Sequence, residues 1–278
     1  MKVWSGGKLQ KSLLVISPRD RGLLLGDGLF ETLLVWQGIA LWRFEHLQRM
    51  QAAAMELGIG FPSDEIENAI DRLCHRTRKH AVLRLTLTRG SGGRGLAADS
   101  EKPFFVATLV PFDPQLQFQP TQLMTSSIQR NVASPASRMK TLSYMDQVLA
   151  AREAVAHGVD DALMLNSKGR LACSTIGNVF LLLDGVLVTP ALDEGILPGI
   201  MREAVLRAAR HIGMKTRECR IKASDIKSAS AVFVTNSLRF VRPVTRLDSK
   251  KFSPVAARKL DRLIAQLANV VQDQIELS

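Results

Sequence analysis

An α/β chain in two domains is what this sequence predicts. Strand-like and helix-like segments alternate along its whole length, a polar Pro- and Gln-bearing stretch divides it, and 278 residues suffice for one large or two medium domains. Hydrophobic residues make up 46% and charged residues 23%, the balance of a soluble globular protein. No apolar run approaches the about 18 residues that a membrane span needs. The N-terminal stretch Met1-Lys2-Val3-Trp4-Ser5-Gly6-Gly7 lacks the apolar core of a signal peptide, so a cytoplasmic location is expected. Cys74, Cys173 and Cys219 are too few and too scattered for a disulfide framework or a zinc site, and no other metal is expected. The net charge is +11, yet the basic residues are spread out, with only short clusters such as Arg76-Thr77-Arg78-Lys79-His80 and no nucleic-acid motif. A basic protein that takes an anionic cofactor and an anionic substrate fits that charge at least as well as nucleic-acid binding, and no specific nucleic acid is expected.

The first half, residues 1–111, reads as a small N-terminal α/β domain. Residues 2–16 form a hairpin turning at Ser5-Gly6-Gly7. Glycines between Gly22 and Gly28 bracket short apolar runs and lead into a strand through Leu33-Leu34-Val35-Trp36. A helix runs from about Phe44 to Leu57 with Leu47, Met50, Ala54 and Leu57 on one face, and Gly58 stops it. Ser63 caps a second helix carrying Ile66, Ile70 and Leu73. Ala81 to Arg89 alternates, with Val82 and Arg84 on one side and Leu83, Leu85 and Leu87 on the other. The glycine loop Arg89-Gly90-Ser91-Gly92-Gly93-Arg94-Gly95 follows, but no helix follows it, so it is a poor phosphate loop. A strand from Phe104 to Val110 closes the domain, and residues 112–120 read as a linker.

The larger C-terminal domain, residues 121–278, opens with a strand near 122–128. Three more are expected at Ala162–Leu165, Leu171–Cys173 and Val179–Leu183, joined by turns at Ser167-Lys168-Gly169 and near Asp184-Gly185. Ile196-Leu197-Pro198-Gly199 opens a helix to Ile212 with Met201, Val205, Leu206 and Ala209 inward. A strand from Ala231 to Val234 ends at Thr235-Asn236-Ser237, and Pro254 occupies the permitted first position of a last helix.

Arg138-Met139-Lys140-Thr141-Leu142-Ser143-Tyr144 precedes a stretch that reads as an amphipathic helix burying Met145, Val148, Leu149 and Val155. Lys140 therefore sits on a turn ahead of a buried helix. Locally it is either one more solvated lysine or an amine held in a cleft, where a falling pKa makes it a nucleophile and base.

Five blocks decide between these readings. They are Asp20-Arg21-Gly22…Gly26-Asp27-Gly28-x-Phe30-Glu31, Glu45-His46-Leu47-x-Arg49, Lys140 before its helix, Gly169…Asn178-Val179-Phe180, and Leu197-Pro198-Gly199-Ile200-x-Arg202. In this order and spacing the chain, from about Val3 to Val244, resembles the fold-type IV (class IV) pyridoxal-phosphate enzymes, which include branched-chain and D-amino-acid aminotransferases and aminodeoxychorismate lyase. The resemblance implies two α/β domains with pyridoxal 5'-phosphate at their interface, a homodimer, and a small anionic amino substrate. It makes Lys140 the Schiff-base lysine and Arg49 the arginine on the cofactor phosphate, for which a guanidinium offers two parallel bonds. Gly199, Ile200 and Met201 give phosphate a helix N-terminus. Ser237 takes the place of a phosphate-binding hydroxyl, and Asn178 shapes the turn behind the ring. Phe30, Thr32, Arg94, Tyr144 and Arg239 fall on the substrate side; Tyr144 also reads as a core residue, and Arg239, like Arg242, as a solvated one.

This chain departs from the family pattern twice. Met201 stands where a threonine is usual, which removes one hydroxyl contact. Cys173 stands where most members carry a glutamate bonded to the pyridine nitrogen, and a neutral thiol is a poor partner for it; a thiolate would serve if the ring lowered its pKa. Asp160 and Asp161 lie on the wrong side of the preceding strand to replace it. Thr88-Arg89-Gly90-Ser91-Gly92-Gly93-Arg94-Gly95 and Thr235-Asn236-Ser237-Leu238-x-x-Val241-Arg242-Pro243-Val244 look closer to the lyases, and an elimination driven by aromatisation tolerates a weaker electron sink. The expected activity is therefore a 4-amino-4-deoxychorismate lyase. An aminotransferase for D-amino or branched-chain amino acids is the alternative, with a catalytically inert binding module as the reading from another class.

Overall fold

The computed structural model describes residues 1–10, 14–75, 77–97, 102–253 and 260–276. It divides into two units: Met1–Pro114 with Met139–Ser143, and Gln115–Arg138 with Tyr144–Glu276.

In the first unit, β1 (Lys2–Ser5), β2 (Lys8–Gln10), β3 (Gly28–Trp36), β4 (Ile39–Ala40), β5 (Ala81–Thr88) and β6 (Phe104–Pro111) form one sheet in the order β2-β1-β6-β5-β3-β4. Every pairing is antiparallel. The alternation expected in β5 holds: Leu83, Leu85 and Leu87 are buried while Arg84 is exposed. Against the leucine face lie α2 (Arg43–Leu57), through Met50 and Ala54, and α3 (Ser63–Cys74), through Ile66, Ile70 and Leu73. Ser63 does not cap α3: it is the first helical residue, Pro62 takes the cap position, and no side chain bonds there. The short helix α1 (Arg21–Leu25) is capped by the Asp20 carboxylate, which accepts from Leu23 N–H at 3.0 Å. Strand β3 begins five residues earlier than the apolar run suggested, because Gly28 already pairs with Thr88. Of the far arm expected for the first hairpin, Leu9 to Ile16, the start lies in β2 and residues 14–16 are not strand, while residues 11–13, like Arg76, lie outside the described residues.

In the second unit, strands β7 (Thr121–Thr125), β8 (Asp161–Leu165), β9 (Leu171–Ser174), β10 (Asn178–Leu183), β11 (Val186–Pro190), β12 (Thr216–Cys219), β13 (Ala231–Asn236) and β14 (Phe240–Leu247) run in the order β12-β11-β10-β13-β14-β7-β8-β9, with β15 (Lys250–Lys251) on β14. A further pairing of Cys173 with Asn178 joins β9 back to β10. Parallel neighbours need a crossover. Helix α4 (Met145–Ala156) lies between the parallel β7 and β8, and α5 (Ile200–His211) between the parallel β11 and β12. Helix α6 (Asp261–Glu276) packs on α5. The Pro254 start expected for the last helix lies outside the described residues.

Helix α4 corrects the sequence reading. Met145 is 64% exposed and Val155 76%, with Val148 and Leu149 exposed as well; the buried positions are Gln147, Ala150 and Ala154. Ala150 and Ala154 pack on Ala162 and Met164 of β8. Small side chains let the helix backbone approach the sheet closely, and that contact, rather than the larger apolar stripe, sets which face turns inward. In α5 the expected residues Met201, Val205, Leu206 and Ala209 are all buried, though the helix begins at Ile200 rather than near Ile196.

Candidate functional site

Lys140 belongs with the first unit, although the sequence division placed it in the C-terminal domain. Its segment lies along β3 as a short added edge: the Phe30 N–H donates to Lys140 C=O at 2.9 Å, Leu142 N–H to Gly28 C=O at 2.9 Å, and Leu29 bridges Thr141. The ammonium then lies 4.3 Å from the centre of the Phe30 ring, and the Arg84 guanidinium stands 3.9 Å over the same ring. Phe30 is buried and Thr32 half-buried on this strand, with Thr32 paired to Arg84.

One residue along, Glu31 points into a buried ionic group. Glu31 and His46 are each 1% exposed. His46 Nδ1 lies 2.7 Å from Glu31 Oε2, and Arg49 donates from Nε to Oε1 at 2.8 Å and from Nη2 to Oε2 at 2.7 Å. Helix spacing explains the pair: His46 and Arg49, three residues apart on α2, share one face. Burial alone would raise the Glu31 carboxyl, but Arg49 and His46 together hold it well below the usual carboxylate range. Burial pushes His46 down despite Glu31, so the ring stays neutral at pH 7. Lys140 as a whole is only half-buried, yet burial of its amine lowers its pKa to about 8; Glu31 opposes the shift, while Arg49 and Arg84 add to it. Glu31 and His46 had entered the sequence reading only as parts of motif blocks and Arg84 only as a strand residue. Their charge and placement, not their type, give them weight. Arg94 is exposed on the glycine loop.

The second unit assembles another group. Asn178, opposite both Cys173 and Thr235, donates from Nδ2 to Leu197 C=O at 2.9 Å. A Cβ at Gly199 would collide with Asn178 Oδ1, and one at Gly177 with Thr235 C=O. Gly199 is also the cap residue of α5, and no side chain caps that helix, so the N–H groups of Ile200 and Met201 remain for a ligand. The Met201 side chain itself is buried, leaving only its backbone to take part. The Ser174 and Thr235 hydroxyls are buried without partners. Ser237 and Arg239 are half-buried in the turn after β13, where Asn236 Oδ1 accepts from Leu238 and Arg239 N–H. Tyr144 is half-buried just ahead of α4.

Burial pushes the Cys173 thiol up to about 11, against the pull of Arg130 and with Asp161 adding to the rise. The thiolate alternative therefore has no support in the protein's own field. Asp161 is also not out of reach, as the strand argument had it. It is buried, its Oδ1 accepts from Thr175 Oγ1 and from Ala162 N–H at 2.8 Å, and it is an electrostatic neighbour of Cys173. Among the described residues no group of His, Cys, Asp and Glu could hold a metal ion, and no helix is long and apolar enough to cross a membrane.

These residues fit a pyridoxal phosphate. In the first unit the Lys140 amine of lowered pKa suits its aldehyde; in the second, taken by itself, the uncapped N-terminus of α5 suits a phosphate. The buried Ser174 and Thr235 hydroxyls without partners are where a polar ligand would be received.

Comparison with known proteins points the same way. The pattern of the family described as amino-transferase class IV matches residues 28–247. The aminodeoxychorismate lyase of Bacillus subtilis is 28% identical over 257 residues, covering 89% of this chain and 87% of that protein. The branched-chain-amino-acid aminotransferase of Pseudomonas aeruginosa is 30% identical over 239 residues, covering 81% of this chain and 78% of its own length. The crystal structure of 4-amino-4-deoxychorismate lyase from Pseudomonas aeruginosa superposes with a TM-score of 0.83 at 28% identity, covering 95% of this chain and 98% of that one.

Proposed function

We propose a lyase reaction for this chain, which belongs to the class IV aminotransferase family and is a pyridoxal-phosphate-dependent enzyme: elimination of pyruvate from 4-amino-4-deoxychorismate to give 4-aminobenzoate. The observation that carries this reading is Cys173, whose thiol is held uncharged by burial. When bound, the cofactor withdraws electrons from the carbon beside the substrate amine, and an uncharged thiol at the ring nitrogen weakens that withdrawal. Aromatisation of the product supplies driving force that transamination lacks, so this elimination suffers least. Similarity to the Bacillus subtilis lyase and to the Pseudomonas aeruginosa lyase structure supports the same choice.

Lys140 is the catalytic residue in this reading. With its pKa near 8, a useful fraction of the amine is free base at neutral pH, so it can accept the ring proton lost on aromatisation and return one to the departing enolpyruvyl group. Its backbone bond to Phe30 fixes where that amine sits. Arg49, oriented by Glu31, the N–H groups of Ile200 and Met201, and the Ser237 hydroxyl are assigned to the cofactor phosphate in this reading. Asn178 pairs with Cys173 and shapes the turn between them, and Phe30, Thr32, Arg94, Tyr144 and Arg239 contact the substrate. The reading includes two domains at 1–111 and 121–278, the Lys140 segment packing with the first, together with a homodimer and a cytoplasmic location; sedimentation at micromolar concentration tests the dimer.

Transamination of D-amino or branched-chain amino acids is the second reading, favoured by the 30% identity to the Pseudomonas aeruginosa aminotransferase. One set of cuvettes separates the two. Purified protein with pyridoxal phosphate is expected to show a visible band that Lys140→Ala abolishes, and to release 4-aminobenzoate and pyruvate in equal amounts from aminodeoxychorismate. Conversion of the band by D-alanine or L-leucine without 4-aminobenzoate release would overturn the lyase assignment.

A further inference from the structure

Arg94 stands between two glycines on a loop that has no core of its own, so its position depends on whatever holds the loop backbone. Arg21 is the main clamp. This arginine is 5% exposed, and all three guanidinium nitrogens are used: Nε donates to Asp27 Oδ2 at 2.9 Å, Nη1 to Gly95 C=O at 2.8 Å and Nη2 to Leu96 C=O at 2.6 Å. Asp27 is shared with Arg89, whose Nε reaches Oδ2 at 2.8 Å and Nη2 reaches Oδ1 at 3.2 Å. Arg89 in turn holds the C=O groups of Leu57 at 2.7 Å and Gly58 at 2.9 Å, at the end of α2. A continuous chain of charge-assisted bonds thus runs from α2 through Arg89, Asp27 and Arg21 to the two carbonyls just beyond Arg94. At the other end of the loop the hold is lighter. Arg19 Nη2 donates to Gly92 C=O at 3.1 Å, Arg21 N–H to Gly90 C=O at 2.9 Å, and Asp20 bridges Ser91.

We infer that Arg21 is a positioning residue for substrate recognition: through the Asp27–Arg89 anchor it fixes the backbone at Gly95 and Leu96 and so presents the Arg94 guanidinium to the carboxylate of the substrate. The inference rests on the reading of Arg94 as a substrate-side residue, and takes the substrate carboxylate as its partner because Arg94 sits where the D-amino-acid aminotransferases it resembles place a carboxylate-binding arginine. Fixing the cation before binding removes an ordering cost from the substrate complex, so loss of the clamp acts on KM rather than on the chemical step. Lysine at position 21 keeps the charge but cannot reproduce the fork that reaches both carbonyls.

The test uses the cofactor-loaded enzyme and four variants: Arg21→Lys, Asp27→Asn, Arg94→Ala and the double variant Arg21→Lys/Arg94→Ala. Arg21→Lys is expected to raise KM about tenfold with kcat within about twofold and an unchanged visible cofactor band. It should also speed thermolysin cleavage before the exposed Leu96 by at least about tenfold, because freeing the Gly95 and Leu96 carbonyls lets this backbone adopt the extended form a protease binds. Arg94→Ala should raise KM as much or more, and the double variant should raise it no further. If Arg21→Lys fails to fold, as judged by its circular dichroism, Asp27→Asn carries the same expectations. A fall in kcat at constant KM, an unchanged cleavage rate, or additive effects in the double variant would each overturn the clamp. An unchanged KM in Arg94→Ala would instead remove the reading of Arg94, while the cleavage rate still reports on Arg21.

Discussion

Replacing Lys140 by methionine should make the cofactor-free protein more stable at neutral pH. Burial lowers the amine from 10.5 to about 8. At about 1.36 kcal/mol per pKa unit, a charged Lys140 destabilises the fold by at most about 3.4 kcal/mol. Lys140 is half-buried and water relaxes part of that, so about 1 kcal/mol is the expected gain, or about 2–4 °C in Tm. The pH dependence has a definite sign. Between pH 8 and 10.5 the unfolded chain binds more protons at this residue than the folded one, so wild-type stability rises through that window. Below pH 8 the penalty is fully present, and above 10.5 it is gone. Lys140→Met lacks the group, so the gap in Tm between variant and wild type, read by calorimetry without cofactor, should be largest at pH 7, shrink through pH 8 to 10.5, and close above pH 10.5. A variant less stable than wild type at pH 7, or a gap that does not change with pH, would refute the placement of the amine in a dry setting.

Three further outcomes are expected. Glu31→Gln removes the buried carboxylate that both His46 and the half-buried Arg49 bond and should cost about 3–5 kcal/mol in urea unfolding; it also removes the charge that holds the Lys140 pKa up, so the midpoint for acylation of Lys140 should move to lower pH, and a move to higher pH would contradict the geometry. Gly199→Ala drives a methyl group into Asn178 Oδ1 and should break its bond to Leu197 C=O, with a loss of about 1–3 kcal/mol and weaker cofactor binding in a titration of the visible band. The Cys173 thiol, with a pKa near 11 against a model-peptide value of 9.0, should be alkylated about 100-fold more slowly at pH 8 in the native protein than in urea, as mass spectrometry of the labelled peptide would record.

Local pattern was enough for much of this chain. The period-two leucines of β5, the one-sided helix α5 and the ordered motif blocks are each written within a few residues, where side-chain period and turn chemistry act. For the same reason β11, β12 and β14 escaped notice: they are short or carry arginine and proline, as in Phe240–Leu247 with Arg242 and Pro243, and only pairing with neighbours makes them strands. Residue order was enough for the alternation of elements, the family resemblance and the candidate lysine. Contacts between distant segments set what those residues experience. They laid Lys140 on the edge of β3, more than a hundred positions away in the chain, and set Glu31 between His46 and Arg49. They turned the alanines of α4, not its larger apolar residues, toward the sheet, and they buried the Cys173 thiol in an uncharged state. Which face can pack depends on the shape of a partner distant in sequence, and a pKa depends on the charges and water that folding brings near or excludes; neither is encoded in the spacing of residues along one segment.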